Sequence, residues 1–281
     1  PITQEVLYSH LTGQKIIGIY PLLATDQCRL LAVDFDKSDW KNCVTAFSEA
    51  CLSLNIPFLV ERSRSGNGAH VWIFFSEPIA AKQARLMGAG ILDKAMELYP
   101  ALDFESYDRM FPNQDHMPAG GFGNLIALPL QKHARALGNS TFIDSNFNAF
   151  TDPWTVLQQT ELMSSSEVNN IVNELGYNFI EQNQTDVDHE APWVKNIPKK
   201  NQKIAGCPDA IELVFANMIH IPIQTLPSQL IAQLKRLATF SNPRFFKAQA
   251  MRFSTTGIPR HICCARLEGQ YLSLPRGCLT D

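Results

Sequence analysis

Apolar residues recur along this chain with two different periods, and the changeovers between them outline alternating strands and helices. Lys15–Tyr20 and Cys28–Phe35 are short apolar runs separated by a polar turn around Ala24–Gln27, a pattern that predicts a β-hairpin. From Asp39 to Asn55 the spacing lengthens, and Val44, Phe47, Ala50, Cys51 and Leu54 share one helical face. Pro57 closes that run. Two β-rich segments, Phe58–Glu61 and Ala69–Phe75, then flank the loop Arg62–Gly68, and a second helix is predicted over Ala80–Leu98.

Pro100–Phe122 has little periodicity but many polar residues, and long irregular stretches inside a compact domain are usually functional. Asn124–Leu130 is a nearly continuous apolar run, which predicts a fully buried strand. Pro153–Tyr177 reads as helical, and Asn178–Lys203, rich in Asn, Gln, Asp, Lys and Pro, reads as a linker or a long surface excursion. Helices and strands are mixed, so the class is α/β or α+β.

Composition narrows the class. With 281 residues, 45% hydrophobic and 18% charged, the chain is neither disordered, collagen-like nor coiled coil. No apolar run reaches the ~20 residues needed to cross a bilayer, and Pro1–His10 lacks a signal-peptide pattern. A soluble, cytoplasmic protein without a membrane partner is expected. The start at Pro1 and the Leu-Pro-Arg-Gly turn near the end suggest a piece of a longer chain. Seven cysteines without any CxxC pair encode neither a disulfide framework nor a zinc ribbon, so reduced, mostly buried thiols are expected.

The net charge of −3 argues against a nucleic-acid partner only until its distribution is read. Lys235, Arg236, Arg244, Lys247, Arg252, Arg260, Arg266 and Arg276 are opposed by a single acid, Glu268, before the terminal Asp281. Leu237–Arg252 reads as helical with an interruption at Asn242-Pro243, Pro243 suiting a first helical position. Phe240, Phe245 and Phe246 alternate there with Arg244 and Lys247. Aromatic rings among cations suit stacking on bases with phosphate contacts from Arg244, Lys247 and Arg252, although an amphipathic helix with core phenylalanines has the same pattern.

Three constellations carry candidate chemistry. In Val33-Asp34-Phe35-Asp36, strand alternation turns Asp34 and Asp36 to one face, about 7 Å apart at their Cα atoms, where hard oxygen donors can converge on divalent cations. An isolated DxD is also found as solvated acids at a strand end. In Glu61–His70, glycines let backbone N–H groups approach an anion, Arg62 and Arg64 supply positive charge, and His70 stands beside the loop at the start of a strand. In Ser106-Tyr107-Asp108-Arg109, Asp108 offers a third carboxylate, with Asp103, Glu105 and Asp115 as rivals that spacing does not exclude.

AVDFD, SRSGNGAH before an apolar strand, and YD before another strand resemble the three motifs of the archaeo-eukaryotic primase superfamily. The longer stretches ERSRSGNGAHVWIFF, SYDRMFPNQD, GFGNLIALPLQ, NPRFFKAQAMR and LPRGCL resemble more closely the primase-polymerase region of TOTE conflict system proteins, which is joined there to a superfamily II helicase. The resemblance implies that Asp34, Asp36 and Asp108 bind two catalytic divalent ions, Mg²⁺ or Mn²⁺. It also implies that His70, with Ser65 and Gly68 in its loop, meets the triphosphate of the incoming nucleotide, and that Gln131, Lys132 and His133 lie where relatives touch the same group. Relatives tend to carry a cysteine-rich, zinc-binding-like segment upstream of the element His10-Leu11-Thr12-Gly13; this stretch has no room for it, so no zinc is expected here.

The expectation is therefore an α+β catalytic core with an RRM-like antiparallel sheet over residues 1–160, a helix and linker over 161–205, and a mainly helical, basic extension over 206–281. Its expected activity is that of a DNA-dependent primase-polymerase, a two-metal nucleotidyltransferase. Arg64 joins His70 and Lys132 as a phosphate clamp. The expected partners are nucleoside triphosphates, a single-stranded or primed DNA template, and a helicase domain in the full-length chain; defence against mobile elements is the pathway the family implies. A metal-dependent nuclease would use the same carboxylates without needing a triphosphate loop, and a non-catalytic nucleic-acid-binding module serving a helicase would need neither.

Overall fold

Two-residue alternation governs the central strands, and each face of the sheet they build collects a different set of side chains. The computed structural model describes residues 2–102, 106, 109–175 and 204–279. Its first part runs α1 (Gln4–Leu11), β1 (Gly18–Ile19), β2 (Gln27–Phe35), α2 (Trp40–Ser53), β3 (Leu59–Arg62), β4 (Ala69–Ala80), α3 (Ala81–Leu98) and β5 (Met110–Phe111). Then come β6 (Ile126–Ala127), α4 (Lys132–Ala136), β7 (Thr141–Ile143), α5 (Pro153–Gln159) and α6 (Ser165–Leu175). Five strands form one antiparallel sheet in the order β5-β2-β4-β3-β7.

On one face Leu31, Val33, Phe35, Val71, Ile73 and Phe75 bury themselves against α2 and α3 in the main core. The apolar face foreseen for the first helix is the buried face of α2, with Val44, Phe47, Ala50 and Cys51 inside. Gly88 of α3 permits a close approach to the sheet, because a Cβ there would stand 2.8 Å from both Leu31 Cδ2 and Met110 Sδ. On the other face Ala32, Trp72 and Phe142 join Ile126 and Leu130 in a smaller cluster with Leu11 and Ile19. Large apolar residues on both faces make the middle of the sheet dry, so polar residues are left to its ends.

The expected hairpin between the first two strands does not form. Both edges of β2 are taken, by β4 and β5, so β1 pairs instead with β6 in a separate two-stranded ribbon over the second face. The same pairing corrects the reading of Asn124–Leu130: only Ile126–Ala127 is strand, Ile126 points inward and Leu125 is exposed. Pro153–Tyr177 is interrupted between α5 and α6, where Met163 leaves the helix to exchange backbone hydrogen bonds with Phe74 and Ser76 at β4. Tyr177 and the predicted linker 178–203 lie outside the described residues.

The C-terminal part is not mainly helical. It holds β8 (Val214–Phe215), β9 (Ile219–Pro222), α7 (Ser228–Leu237), β10 (Thr239–Ser241), α8 (Pro243–Ala250), β11 (His261–Cys263), β12 (Arg266–Glu268) and β13 (Tyr271–Leu274). An antiparallel sheet of order β12-β13-β9-β8 buries Ile219, Ile221, Leu272 and Leu274 against Ile231 of α7, while β10 pairs with β11. Strands of two to four residues carry too few alternations to stand out against helical spacing in sequence. Pro243 does open a helix, and the Asn242 side chain caps it by accepting from Arg244 N at 3.1 Å. Nor are the thiols mostly buried: Cys28, Cys43 and Cys51 are, whereas Cys207 and Cys264 are exposed.

Candidate active site

The central strands end together, and their registered pairs set a row of ionisable side chains across the sheet. Asp34 of β2 lies opposite His70 of β4, and His70 lies opposite Glu61 of β3. Pairs directly opposite share a face, so all three continue the second face beyond Ala32 and Trp72. Met110 of β5 pairs with Val33, which brings the preceding residue, Arg109, alongside Asp34. Asp36 follows β2 on the same side by alternation. Gly68 makes this closeness sterically allowed: a Cβ there would stand 2.5 Å from the Phe35 carbonyl oxygen.

Glu61 organises the row. Its carboxylate is 2% exposed and accepts from Trp72 Nε1 at 3.0 Å and from Ser140 Oγ at 3.3 Å, and its Oε2 lies 2.9 Å from His70 Nδ1. That contact turns His70 Nε2 towards Asp34 Oδ1, 3.6 Å away. Burial disfavours a charged imidazole at His70, but the hydrogen bond and charge of Glu61, with the charges of Asp34 and Asp36, outweigh it and raise the pKa above its ordinary value.

Asp34 is held the other way. Burial raises its carboxyl above the usual range, the Asp36 charge adds to the rise, and His70 and Arg109 only partly offset it. Positive charge around this carboxylate only partly compensates its burial. Arg109 donates to Asp36 Oδ2 at 2.6 Å and to Asp34 Oδ2 at 3.3 Å, so one guanidinium spans the pair. A cleft beside them is lined by Asp34, Asp36, Trp40, Leu102, Ser106 and Arg109. Among the described residues no three His, Cys, Asp or Glu side chains converge on one point. Two hard-oxygen donors on one face, an undercompensated charge and a cation already bridging them fit a divalent metal in kind.

The other expected residues divide. Asp108, Asp103 and Glu105 lie outside the described residues. Asp115 is not a rival metal ligand: it is buried against Arg85 and Arg260, and Gln249 binds its carboxylate. Arg64 and Ser65 are exposed on the loop, where Ser65 Oγ lies 3.1 Å from Ser63 Oγ. Arg62 turns away and donates to the Phe147 carbonyl. Lys132 and His133 are exposed on α4, while Gln131 is buried and caps that helix by accepting from Ala134 N at 3.0 Å. β7 follows α4 and pairs Thr141 with Arg62, so α4 and the loop share one end of the sheet.

The C-terminal candidates divide as well. Arg244 and Lys247 are exposed, but Phe245 is buried and both Phe245 and Phe246 stack on the Arg260 guanidinium, at 5.0 and 4.9 Å. Arg252 donates to Asp26 and to the Met117 carbonyl. Sequence reasoning missed Trp72 and Ser140, and it placed Glu61 and Arg109 within its constellations without giving either a role. A signal for Glu61 existed: a hairpin closed tightly about Ser65–Gly66 sets residue 61 opposite residue 70.

No helix among the described residues is long and apolar enough to cross a membrane. Comparison with curated proteins finds none that matches this chain. A family model described as the archaeo-eukaryotic primase domain of TOTE conflict systems matches residues 1–171, the stretch that contains the whole carboxylate and histidine row. The chain belongs to that family.

Proposed function

We propose that this chain is a DNA-dependent primase-polymerase, a nucleotidyltransferase that extends a strand along a DNA template. The observation that carries the reading is the registered row Asp34–His70–Glu61, with Asp36 beside it and a glycine-containing basic loop at the same sheet end. The β2-α2-β3-β4-α3-β5 run, with β5 and β3 flanking β2 and β4, has the split βαβ order expected of an RRM-like core. Residues 1–160 form the catalytic core in this reading, and 161–205 and 206–281 follow it.

Asp34 and Asp36 would hold Mg²⁺ or Mn²⁺, with Asp108 added on the strength of the family's third motif. Two such ions would supply the chemistry of lowering the pKa of a primer 3′-hydroxyl and of neutralising the triphosphate and the pyrophosphate. His70 presents its imidazole to the phosphates, kept in orientation by Glu61, whose hydrogen bond and charge raise its pKa. Arg64 and Lys132 add mobile positive charge, with His133 beside them; the loop Ser65–Gly68 brings backbone N–H groups near, and Gln131 shapes the α4 end. Arg244 and Lys247 contact the DNA backbone, and a helicase domain accompanies this one in the full-length protein.

Incubation with a primer–template, a nucleoside triphosphate mixture and Mn²⁺ tests the reading. Extension is expected. Shortening of the strands would identify a nuclease, no change a binding module, and extension that persists in the Asp34→Ala, Asp36→Ala double variant would remove these carboxylates from the chemistry. Omitting the primer tests de novo synthesis. Single-stranded DNA binding should weaken steeply with added salt, because lysine and arginine contacts to phosphate release counterions.

A further inference from the structure

The C-terminal basic residues have an unexpected set of partners inside the protein. Lys235 of α7 is buried, and its ammonium donates to the carbonyls of Pro100 at 2.7 Å and Leu102 at 2.8 Å, just past the end of α3. Carbonyls beyond a helix C-terminus lack intrahelical donors, and a cation is favoured there. At the far end of the same irregular segment, Gln249 of α8 binds both the backbone N–H and the carboxylate of Asp115, each at 2.9 Å. Thr255 donates to Gln114 Oε1 at 3.0 Å, Arg252 donates to the Met117 carbonyl at 3.2 Å, and Ala119 N donates to the Arg252 carbonyl at 2.7 Å.

Between these two grips stands Arg109, which spans Asp34 and Asp36, and Leu102 lines the cleft beside both carboxylates. We infer that the C-terminal region is a clamp on the 100–119 segment that positions Arg109 and the cleft wall for nucleotide transfer, with Lys235 and Gln249 as positioning residues. The inference rests on the proposed function for the reaction it serves. It also gives the basic C-terminal residues a different task from the one their charge suggests: Lys235, Arg252 and Arg260 meet carbonyls and carboxylates of the catalytic part. Among the described residues of this segment only β5 is strand, where Met110 pairs with Val33; the described residues on either side of it take their geometry from such outside partners.

Arg236 supplies the control. It sits next to Lys235 on α7 and also docks on the catalytic part, but among the described residues the partners it is seen with are Asp93 and Glu97 of α3. Lys235→Met, Gln249→Leu and Arg236→Met are compared in the full chain by thermal midpoint, by hydrogen exchange and by steady-state primer extension. For Lys235→Met and Gln249→Leu, exchange should rise selectively over the described residues of 100–119. Their kcat should fall about tenfold to a hundredfold, the scale of a misplaced catalytic group, with template affinity unchanged. Arg236→Met should leave kcat and the segment's exchange as they were, even where its midpoint falls equally. Equal losses of kcat in all three variants, in proportion to their midpoints, would overturn the clamp. If the unaltered chain extends nothing, the proposed function fails by itself, and exchange still decides: a rise confined to the segment supports the clamp, a uniform rise refutes it.

Discussion

Asp34 and Asp115 are both aspartates largely withdrawn from water, and their surroundings treat them in opposite ways. At Asp34, burial and the neighbouring Asp36 raise the carboxyl's pKa further than His70 and Arg109 lower it. At Asp115 burial also pushes upward, but the charges of Arg85 and Arg260 and the hydrogen bonds of Arg85 and Gln249 carry it well below the usual range. The second carboxylate is complete within the protein. In the first, burial is only partly offset by positive charge, and the carboxylate opens on a cleft and lies in the stretch that matches the family. Burial alone therefore does not mark a functional acid; what separates the two is whether protein donors satisfy the charge.

The sharpest way to break this contrast is to neutralise each acid. Asp34→Asn or Asp36→Asn should lower primer extension by about a thousandfold, since the residue is assigned to charge stabilisation at the reacting phosphates. The thermal midpoint of Asp34→Asn should hold or rise, because a buried carboxyl whose pKa is raised is more stable uncharged. Asp115→Asn should do the reverse at the level of folding. It removes the carboxylate charge that faces the buried Arg85 and Arg260, a loss of about 3–5 kcal/mol measurable by urea denaturation. If Asp34→Asn destabilised the fold as much as Asp115→Asn, the distinction would be lost.

The same pair shows what sequence could tell. The alternation around Val33-Asp34-Phe35-Asp36 was legible because strand geometry fixes which face each residue takes, and the loop ending in His70 was legible because its neighbours are strands on both sides. Asp115 stood as a rival to Asp108 because nothing in local spacing reveals Arg85, thirty positions earlier, or Arg260, far later in the chain. In the C-terminal region the same blindness left two readings of one pattern open, stacking on bases or packing in a core. The region's phenylalanines and cations do alternate, but Phe245 faces the interior and Arg260 stacks on it. Long-range partners decided the outcome in both places, and periodicity carries no information about them.

Glu61 offers an intermediate test, since it is buried like Asp115 yet belongs to the row that holds Asp34. Glu61→Gln keeps its size and the hydrogen bond from Trp72 but removes the charge that orients and favours the His70 imidazolium. Extension should fall about tenfold to a hundredfold, the range seen when an orienting partner of a site residue is lost. The loss should appear mainly as a higher KM for nucleoside triphosphate. Unchanged kinetics would reduce Glu61 to a core residue that merely satisfies Trp72.

The smallest effect concerns Asp26, a surface acid whose partners come from both regions. It accepts from Met117 N at 2.7 Å, pairs with Arg252 at 2.9 Å and lies 2.9 Å from His116 Nδ1. Burial pushes its carboxyl up, but these hydrogen bonds and the Arg252 charge bring it from 3.8 to about 2. A carboxyl with a depressed folded-state pKa binds fewer protons when folded. Its contribution is present above pH 3.8 and disappears as the pH falls towards about 2. Because the pair is partly exposed, the amount is under about 1 kcal/mol. Urea denaturation at pH 6 and pH 3 should show a slightly smaller acid-side loss for Asp26→Asn than for the unaltered chain. An identical loss would mean that Arg252 does not hold Asp26 in solution, and Arg252→Ala should then weaken single-stranded DNA binding as an ordinary phosphate contact would.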